Sequence, residues 1–475
     1  MFIDREEELA ELRQLADRRQ PAIALLYGRR RVGKTFLLDH AWADRRLFYF
    51  LAADATATLN RSELLRELER WTGQPYPASD YPTWRTIFRA LVALAETAPL
   101  VVVLDEFQYL MGDADDIVSQ LVAVWDREVR DRPLLLALCG SEVSTLERLQ
   151  HGGQPLYGRP SWSARLRPFD YYNAARMAPG RPLRDLACLY GILGGTPRYL
   201  AALEPAESLG EGISRAVLSP RGEINLQLST LIEQEKGVRE PAEYRAALTA
   251  IARGERTLNG IAQAAGLQER PHVVRHALQT LESLGWIRRE AIYGAGSKTP
   301  NRYLIADNAL RFWYRFVQPQ RASLETGPAL PVWQAAIAPF LDSYMSKVFE
   351  GICAEAYSRW HGDWNLPTAS DWARWEGSDR NRRSIEIDIV ARLADGGLLT
   401  GEVKWATAPV GPEVHFGLLR NLDDLARSGQ SWAHEGLVGH HLYVAAAGFT
   451  PAFVALAAEH TNIHLLSLTD LYPSL

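Results

Sequence analysis

Residues 22–35 read A-I-A-L-L-Y-G-R-R-R-V-G-K-T, and this stretch leaves the chain little freedom. The apolar run 22–26 has the length and character of a buried strand. A glycine-bounded turn follows at once, and Thr35, Phe36 and the two leucines after them continue as a helix without a breaker. Strand, G-x-x-x-x-G-K-T and helix in that order make a phosphate-binding P-loop. Gly28 and Gly33 let the backbone curl, so that successive amides across Arg29, Arg30, Arg31, Val32 and Phe36, and the positive end of the helix, face a polyphosphate. Lys34 then reaches its β/γ oxygens and the Thr35 hydroxyl a Mg²⁺, so ATP and Mg²⁺ are the expected cofactors.

The other half of such a site follows downstream. Residues 47–52 read as a second strand, and residues 100–104, L-V-V-V-L, as a third that delivers Asp105 and Glu106 at its C-terminal end. Asp105 is placed to hold the Mg²⁺ shell, and Glu106 to polarise the attacking water as the catalytic residue. A further buried strand, 134–139, ends at Ser141, where the γ-phosphate could be sensed; Gly-Ser is also a common turn, and both readings stand. Arg159 and Arg198 each sit beside a Gly-containing turn, where a guanidinium could act as an arginine finger or be simply solvated. Upstream, Asp4 three residues before Glu7 predicts an N-capped first helix with Phe2 or Ile3 stapled onto its first turn.

A chain of 475 residues suggests about three domains. Its 47% hydrophobic and 23% charged residues are ordinary for a globular protein, and a net charge of −5 means that affinity for nucleic acid must come from a local basic surface. Cys139, Cys188 and Cys353 lie far apart in apolar contexts, which predicts buried free thiols. The acidic start M-F-I-D-R-E-E-E-L is unlike a signal peptide, and no uncharged apolar run approaches ~20 residues, so a cytoplasmic protein without a membrane span is expected.

F-I-D-R-E-E-E-L, Y-G-R-R-R-V-G-K-T, V-L-D-E-F-Q-Y-L, L-C-G-S, P-L-Y-G-R and G-G-T-P-R-Y-L occur in that order. Together they resemble the archaeal-type ATPase family related to the STAND and AAA+ ATPases, over roughly the first half of the chain. The resemblance implies an ASCE-type core followed by a helical lid, with the opening box near Arg5 by the adenine and the turn at Pro197 contacting nucleotide from the lid.

Between about 244 and 307 the pattern changes to three short helices, 246–251, 258–265 and 271–284, and then a hairpin of 285–289 with 301–305 whose tip is 294–300. In the third helix Val274, Leu278 and Leu281 form the inward stripe, leaving His272, Arg275, His276 and Gln279 on the opposite face. This reads as a winged helix-turn-helix. Arg270, Arg275, Arg288, Arg289, Lys298 and Arg302 outnumber Glu269, Glu282 and Glu290, which makes the module locally basic and DNA its expected partner; a rigid coupler between domains is the competing reading. Residues 307–317 are aromatic and suited to packing across domains, and 318–331 read as a polar linker.

The C-terminal part carries its own chemistry. Residues 347–360 read as a helix with Glu350, and 385–390 alternates strictly, with Glu386 and Asp388 on one face. A turn at 394–397 returns the chain along 398–405, where Glu402 and Lys404 share a face and Asp388 falls opposite Glu402 to within about one position. Two carboxylates so close call for a divalent cation, and a lysine beside them can orient or deprotonate water against a phosphodiester. The order resembles the PD-(D/E)xK nuclease superfamily, and also the domain that accompanies this ATPase family, where Trp372, Arg374 and Trp375 match too. Asp388, Glu402 and Lys404 are then the catalytic residues, with Asp388 and Glu402 as metal ligands and Glu350 either a further carboxylate of the shell or a solvated one. His434, His440 and His441 lack metal-ligand spacing, and Trp360, Trp364, Trp372 and Trp375 suit core packing better than base stacking.

The expected architecture is α/β and multidomain: a P-loop NTPase parallel sheet (1–165), a helical lid (166–235), a winged helix-turn-helix (236–320), a linker (321–335) and a restriction-endonuclease-like α/β domain (336–475). Two functions fit it. One is an ATPase that couples nucleotide state to DNA binding and Mg²⁺-dependent DNA cleavage, with homo-oligomers open. The other is a nucleotide-dependent switch whose nuclease-like domain binds without cutting.

Overall fold

Three strands of the first half are buried along their whole length: Ala22–Tyr27 (β1), Leu100–Asp105 (β3) and Leu134–Gly140 (β4). Leu47–Leu51 (β2) and Trp162–Arg165 (β5) complete a parallel five-stranded sheet in the order β2-β3-β4-β1-β5. Continuous apolar runs form here because a parallel sheet is covered on both faces. In this computed structural model, which describes residues 2–111, 116–235, 238, 240–294, 296 and 301–475, Ile23, Leu25, Val102, Leu104 and Leu136 pack with Trp84, Phe88 and Leu91. Their alternates, Ala24, Leu26, Val101, Val103 and Ala137, pack with Leu12 of the helix Glu6–Asp17 (α1) and with Leu37, Leu38 and Trp42 of Lys34–Trp42 (α2). The Trp42 indole donates to the Leu12 carbonyl at 3.1 Å, which ties these two helices together.

The chain divides into two compact units, Met1–Pro168 and Phe169–Leu475. At its start the expected cap is not made. Asp4 and Arg5 both have positive φ, 60° and 69°, and α1 begins at Glu6 with no side-chain cap. A left-handed pair turns the chain before the helix, and Phe2 stacks on Phe36 and His40 of α2 rather than on the first turn of α1.

Within the second unit, helices Pro241–Ala252 (α3), Leu258–Ala264 (α4) and Pro271–Ser283 (α5) precede an antiparallel pair, Ile287–Arg289 (β6) with Tyr303–Ile305 (β7). Val274, Leu278 and Leu281 are buried and His272, Arg275, His276 and Gln279 exposed, as a helix period requires. Of the expected tip, residues 295 and 297–300, Lys298 among them, lie outside the described residues. The stretch expected as a linker is helical: Arg321–Thr326 and Ala329–Val332 are helices, and burial of Leu324 and Trp333 holds them in the fold.

A long helix, Ala338–Trp360 (α6), leads into a mixed sheet of Ala369–Ser378 (β8), Ser384–Leu393 (β9), Leu398–Lys404 (β10), His440–Ala445 (β11) and Ile463–Ser467 (β12). Its order is β12-β11-β10-β9-β8, with β8, β9 and β10 antiparallel in turn and β10, β11 and β12 parallel. The helix Glu413–Arg427 buries Leu418, Leu422 and Leu425 against Ile385, Ile387 and Val390 of β9. Beyond β6 the backbone runs along the edge strand β8: Tyr293 donates to the Arg374 carbonyl at 2.8 Å, and Arg374 to that of Ala291 at 3.3 Å. All three cysteines are buried and free. No described helix is long and apolar enough to cross a membrane.

Candidate functional site

Parallel pairing brings the C-terminal ends of β1, β3 and β4 to one rim. There Gly33, at φ 95°, opens α2, and Gly28 lies so close to the chain that a Cβ would stand 2.3 Å from the Leu166 carbonyl oxygen. Lys34 folds back over the loop, its Nζ donating to the carbonyls of Gly28 (2.8 Å) and Arg29 (3.1 Å). Arg30 donates to the Tyr109 hydroxyl at 2.9 Å; Arg31 has φ 71°, Val32 is buried, and the Phe36 ring lies 4.1 Å from that of His40.

Thr35 Oγ1 donates to Asp105 Oδ2 at 3.3 Å, so the helix and β3 present a hydroxyl and a carboxylate side by side. Tyr49, on β2, also donates to Asp105, and burial first, then that bond, raises its phenol well above its ordinary range. Glu106 takes a left-handed conformation, φ 51°, an unfavourable one for a residue with a side chain. Its Oε2 accepts from the Ser141 amide (3.3 Å) and hydroxyl (2.7 Å) and from Gln108, which also donates to Ser141 Oγ at 3.3 Å. Tyr49 and Gln108 went unread in the sequence. Their signal is position: Tyr49 pairs with Val103, two residues before the carboxylate on the neighbouring strand, and Gln108 follows it in D-E-F-Q.

Arg159 is engaged within the first unit, donating to Asp126 at 2.7 Å. Pro197 and Arg198 belong to the second unit, at the start of the helix Pro197–Leu200, and Arg198 donates to Glu223 at 2.6 Å.

A second cluster forms in the C-terminal sheet. Gly401 pairs with Ile389, a register that carried one step further sets Glu402 opposite Asp388. The Val403 amide donates to Asp388 Oδ2 at 3.0 Å, and Lys404 Nζ donates to Glu402 at 2.5 Å and to Asp388 at 3.5 Å. Burial raises Glu402, and the Asp388 charge adds to it; Lys404 is raised because these two carboxylates outweigh its burial. From α6, Glu350 is also raised, by burial and then by Asp388. Carboxylate oxygens of Glu350, Glu386 and Asp388 come within 4.8 Å of one another, so the set nearest a divalent-cation geometry draws on Asp388 and two other carboxylates, while Glu402 faces Lys404. Lys347 bridges Glu350 (2.8 Å) and Glu386 (2.7 Å), and Arg374 also holds Glu386.

Arg374 reaches the hairpin module as well, donating to Glu290 at 3.0 Å, and Arg256 donates to the same carboxylate at 2.9 Å. These contacts change the reading of the basic module. Arg302 is paired with Glu376 at 2.7 Å, Arg289 with Glu282 at 3.0 Å and Arg270 with Glu243 at 3.2 Å, while Arg288 lines an open cavity. Much of the charge expected to face DNA is therefore spent within the protein. That cavity, of about 600 Å³, is walled by β6, β7, α6 and β8, with Glu350 and Asp388 on its lining. His440 and His464 pair at 3.0 Å, and His441 meets Thr400 at 3.0 Å inside the sheet.

A parallel sheet whose rim carries Lys34, Thr35, Asp105 and Glu106 defines a P-loop ATPase domain. Residues 2–203 match the profile described as an ATPase domain predominantly from Archaea, and residues 313–413 that of archaeal and bacterial proteins of unknown function. The chain is 26% identical over 413 residues to an uncharacterized protein of Methanocaldococcus jannaschii, covering 85% of this chain and 88% of that one. A second uncharacterized protein of that organism is 33% identical over 82 residues, 17% of this chain and 80% of its own, and the chain belongs to one family with it. Among solved structures, the Walker-type ATPase of Pyrococcus abyssi shares the fold, with a TM-score of 0.50 and 21% identity over 66% of this chain and 96% of that one.

Proposed function

We propose that the chain binds and hydrolyses ATP at the rim of the first sheet, and that its second unit uses nucleotide state to act on DNA. The observation that carries the reading is the convergence of Lys34, the Thr35–Asp105 pair and the Glu106–Ser141 pair at the ends of neighbouring strands. Loop amides and Lys34 would take the β- and γ-phosphates, for which Lys34 must leave the carbonyls it now caps. The hydroxyl and carboxylate of Thr35 and Asp105 are hard oxygen donors and fit Mg²⁺, which when bound offsets charge on the phosphates. Tyr49 holds the Asp105 carboxylate in place. Glu106 orients and deprotonates the attacking water, and Ser141 fixes the rotamer from which it does so. Nucleotide titration and phosphate release on the wild type and Lys34→Ala test this; wild-type protein that neither binds nor turns over ATP sinks it.

For the second unit the proposal is a winged helix-turn-helix whose α5 contacts DNA through His272, Arg275, His276 and Gln279, all exposed, beside a nuclease-like sheet. Asp388, Glu402 and Lys404, with Glu350, would then hold the water that attacks a phosphodiester and releases one of its ester oxygens. Glu350, Glu386 and Asp388 offer oxygens that fit Mg²⁺, which when bound neutralises charge developing on the phosphate. Lys404 would orient the water. Incubating the protein with nicked, single-stranded and duplex DNA and Mg²⁺ or Mn²⁺ tests cleavage, and a persistent lack of new ends would remove it.

The switch reading keeps one specific support: Lys347 and Arg374 already neutralise Glu386, and the hairpin's Arg289 and Arg302 are paired with the protein's own Glu282 and Glu376. DNA binding without cleavage, with a nucleotide-driven change in affinity, is what that reading requires.

A further inference from the structure

We propose that the open cavity between the hairpin, α6 and β8 of the second unit is a binding site for a nucleoside phosphate, either a free mononucleotide or the terminal nucleotide of a single strand, and that it is separate from the P-loop. Six cationic side chains line it against four carboxylates. Three of the six are accounted for, because Arg256 and Arg374 share Glu290 and Lys347 bridges Glu350 and Glu386. Arg288, Arg311 and Arg315 have no carboxylate within salt-bridge distance among the described residues. Arg311 donates twice to the Ile305 carbonyl, at 2.7 and 3.1 Å, which orients its guanidinium without cancelling its charge.

Like charges gathered in one concave wall repel unless an anion joins them, and guanidinium forks match phosphate oxygens. A second observation agrees. Arg374, only 7% exposed and also on the lining, has a buried Nε without a partner, a donor that the fold itself does not satisfy. The rest of the lining suits a nucleoside: Phe340, 56% exposed, and Trp372 offer ring surface, and carboxylates offer acceptors for sugar hydroxyls.

Size suits a nucleotide: a volume of about 600 Å³ is within the range of small-ligand sites. The inference goes beyond the cleavage reading and does not need it, since binding is measured without metal.

The experiment uses the full chain carrying Lys34→Ala, which silences the P-loop. Fluorescence anisotropy follows a labelled 5′-phosphorylated thymidine hexamer, its unphosphorylated twin and a blunt duplex, in EDTA. The phosphorylated strand should bind more tightly than its twin and than the duplex. Arg288→Gln and Arg315→Gln should each weaken it about tenfold, as expected for a lost charge-assisted bond. Arg321→Gln, on a surface helix, should not, and thermal melts should match throughout. Competition by thymidine monophosphate assigns the site to free nucleotides; competition by unlabelled strand alone assigns it to strand ends. Equal binding of the two hexamers, binding untouched by the Arg288/Arg315 double variant, or a preference for duplex overturns the proposal.

Discussion

The Ser141 hydroxyl donates to Glu106 Oε2 at 2.7 Å, joining the end of β4 to the residue just after β3. A left-handed backbone at Glu106 and this bond together set where the carboxylate points. With Glu106 as the base proposed above, Ser141→Ala should lower kcat by about tenfold with KM little changed, because that carboxylate is loosened and the phosphate contacts are kept. Glu106→Gln should lower kcat by about 10²-fold or more and leave ATP affinity intact. Steady-state phosphate release and equilibrium nucleotide binding separate the two effects.

Gly28 is fixed by proximity. A methyl group there would stand 2.3 Å from backbone oxygen, which cannot rotate away as a side chain can. Gly28→Ala should destabilise the first unit by about 1–3 kcal/mol and weaken nucleotide binding at the same time. Thermal melts with and without ATP report both.

On the nuclease reading proposed above, Asp388→Asn and Lys404→Ala should each abolish any metal-dependent DNA cleavage while ATP turnover stays within about twofold of wild type. Gel analysis of end-labelled DNA and a phosphate assay on the same preparations check this. Cleavage that survives both substitutions removes the assignment to Asp388 and Lys404.

Glu355 lies on α6, where its carboxylate accepts from the Tyr190 hydroxyl at 2.8 Å and the Tyr171 amide at 3.0 Å. Burial raises it to about 7, with Asp170 adding to the rise and Tyr190, Tyr171 and Arg288 opposing it. Between its ordinary 4.5 and about 7 the native state holds the proton more tightly than the unfolded chain. Its stabilising contribution is thus complete below the lower value and lost as pH rises through the upper one. Urea melts should show the protein weakening by about 1–3 kcal/mol over that window, and Glu355→Gln should shrink the slope.

Weakened DNA binding by Arg275→Gln and His272→Ala, with a smaller dependence on salt, would tie α5 to the phosphate backbone. Binding unchanged in both variants would move the contact elsewhere.

The nucleotide rim was largely legible because its chemistry is local in sequence: glycines at fixed offsets, and carboxylates ending an apolar run. Asp388 and Glu402 were legible for a similar reason, since a short turn and period-two alternation fix their register. What escaped depends on long-range packing. Tyr49 reaches Asp105 from a neighbouring strand, and Arg374 meets Glu290 across 84 positions. No local pattern marks either. The pairing within the basic module escaped for the same reason: counting Arg288, Arg289 and Arg302 shows their charge but not the glutamates that meet two of them or the cavity that the third lines.

The edge contact between residues 291–293 and β8 has a mechanical meaning. One guanidinium clamps the hairpin and the sheet through opposite ends of its fork, and two amide bonds sew them along the same border. Pulling them apart would break the Arg374–Glu290 pair and both amide bonds at once, so hairpin and sheet should come apart together, and torque applied to one is felt by the other.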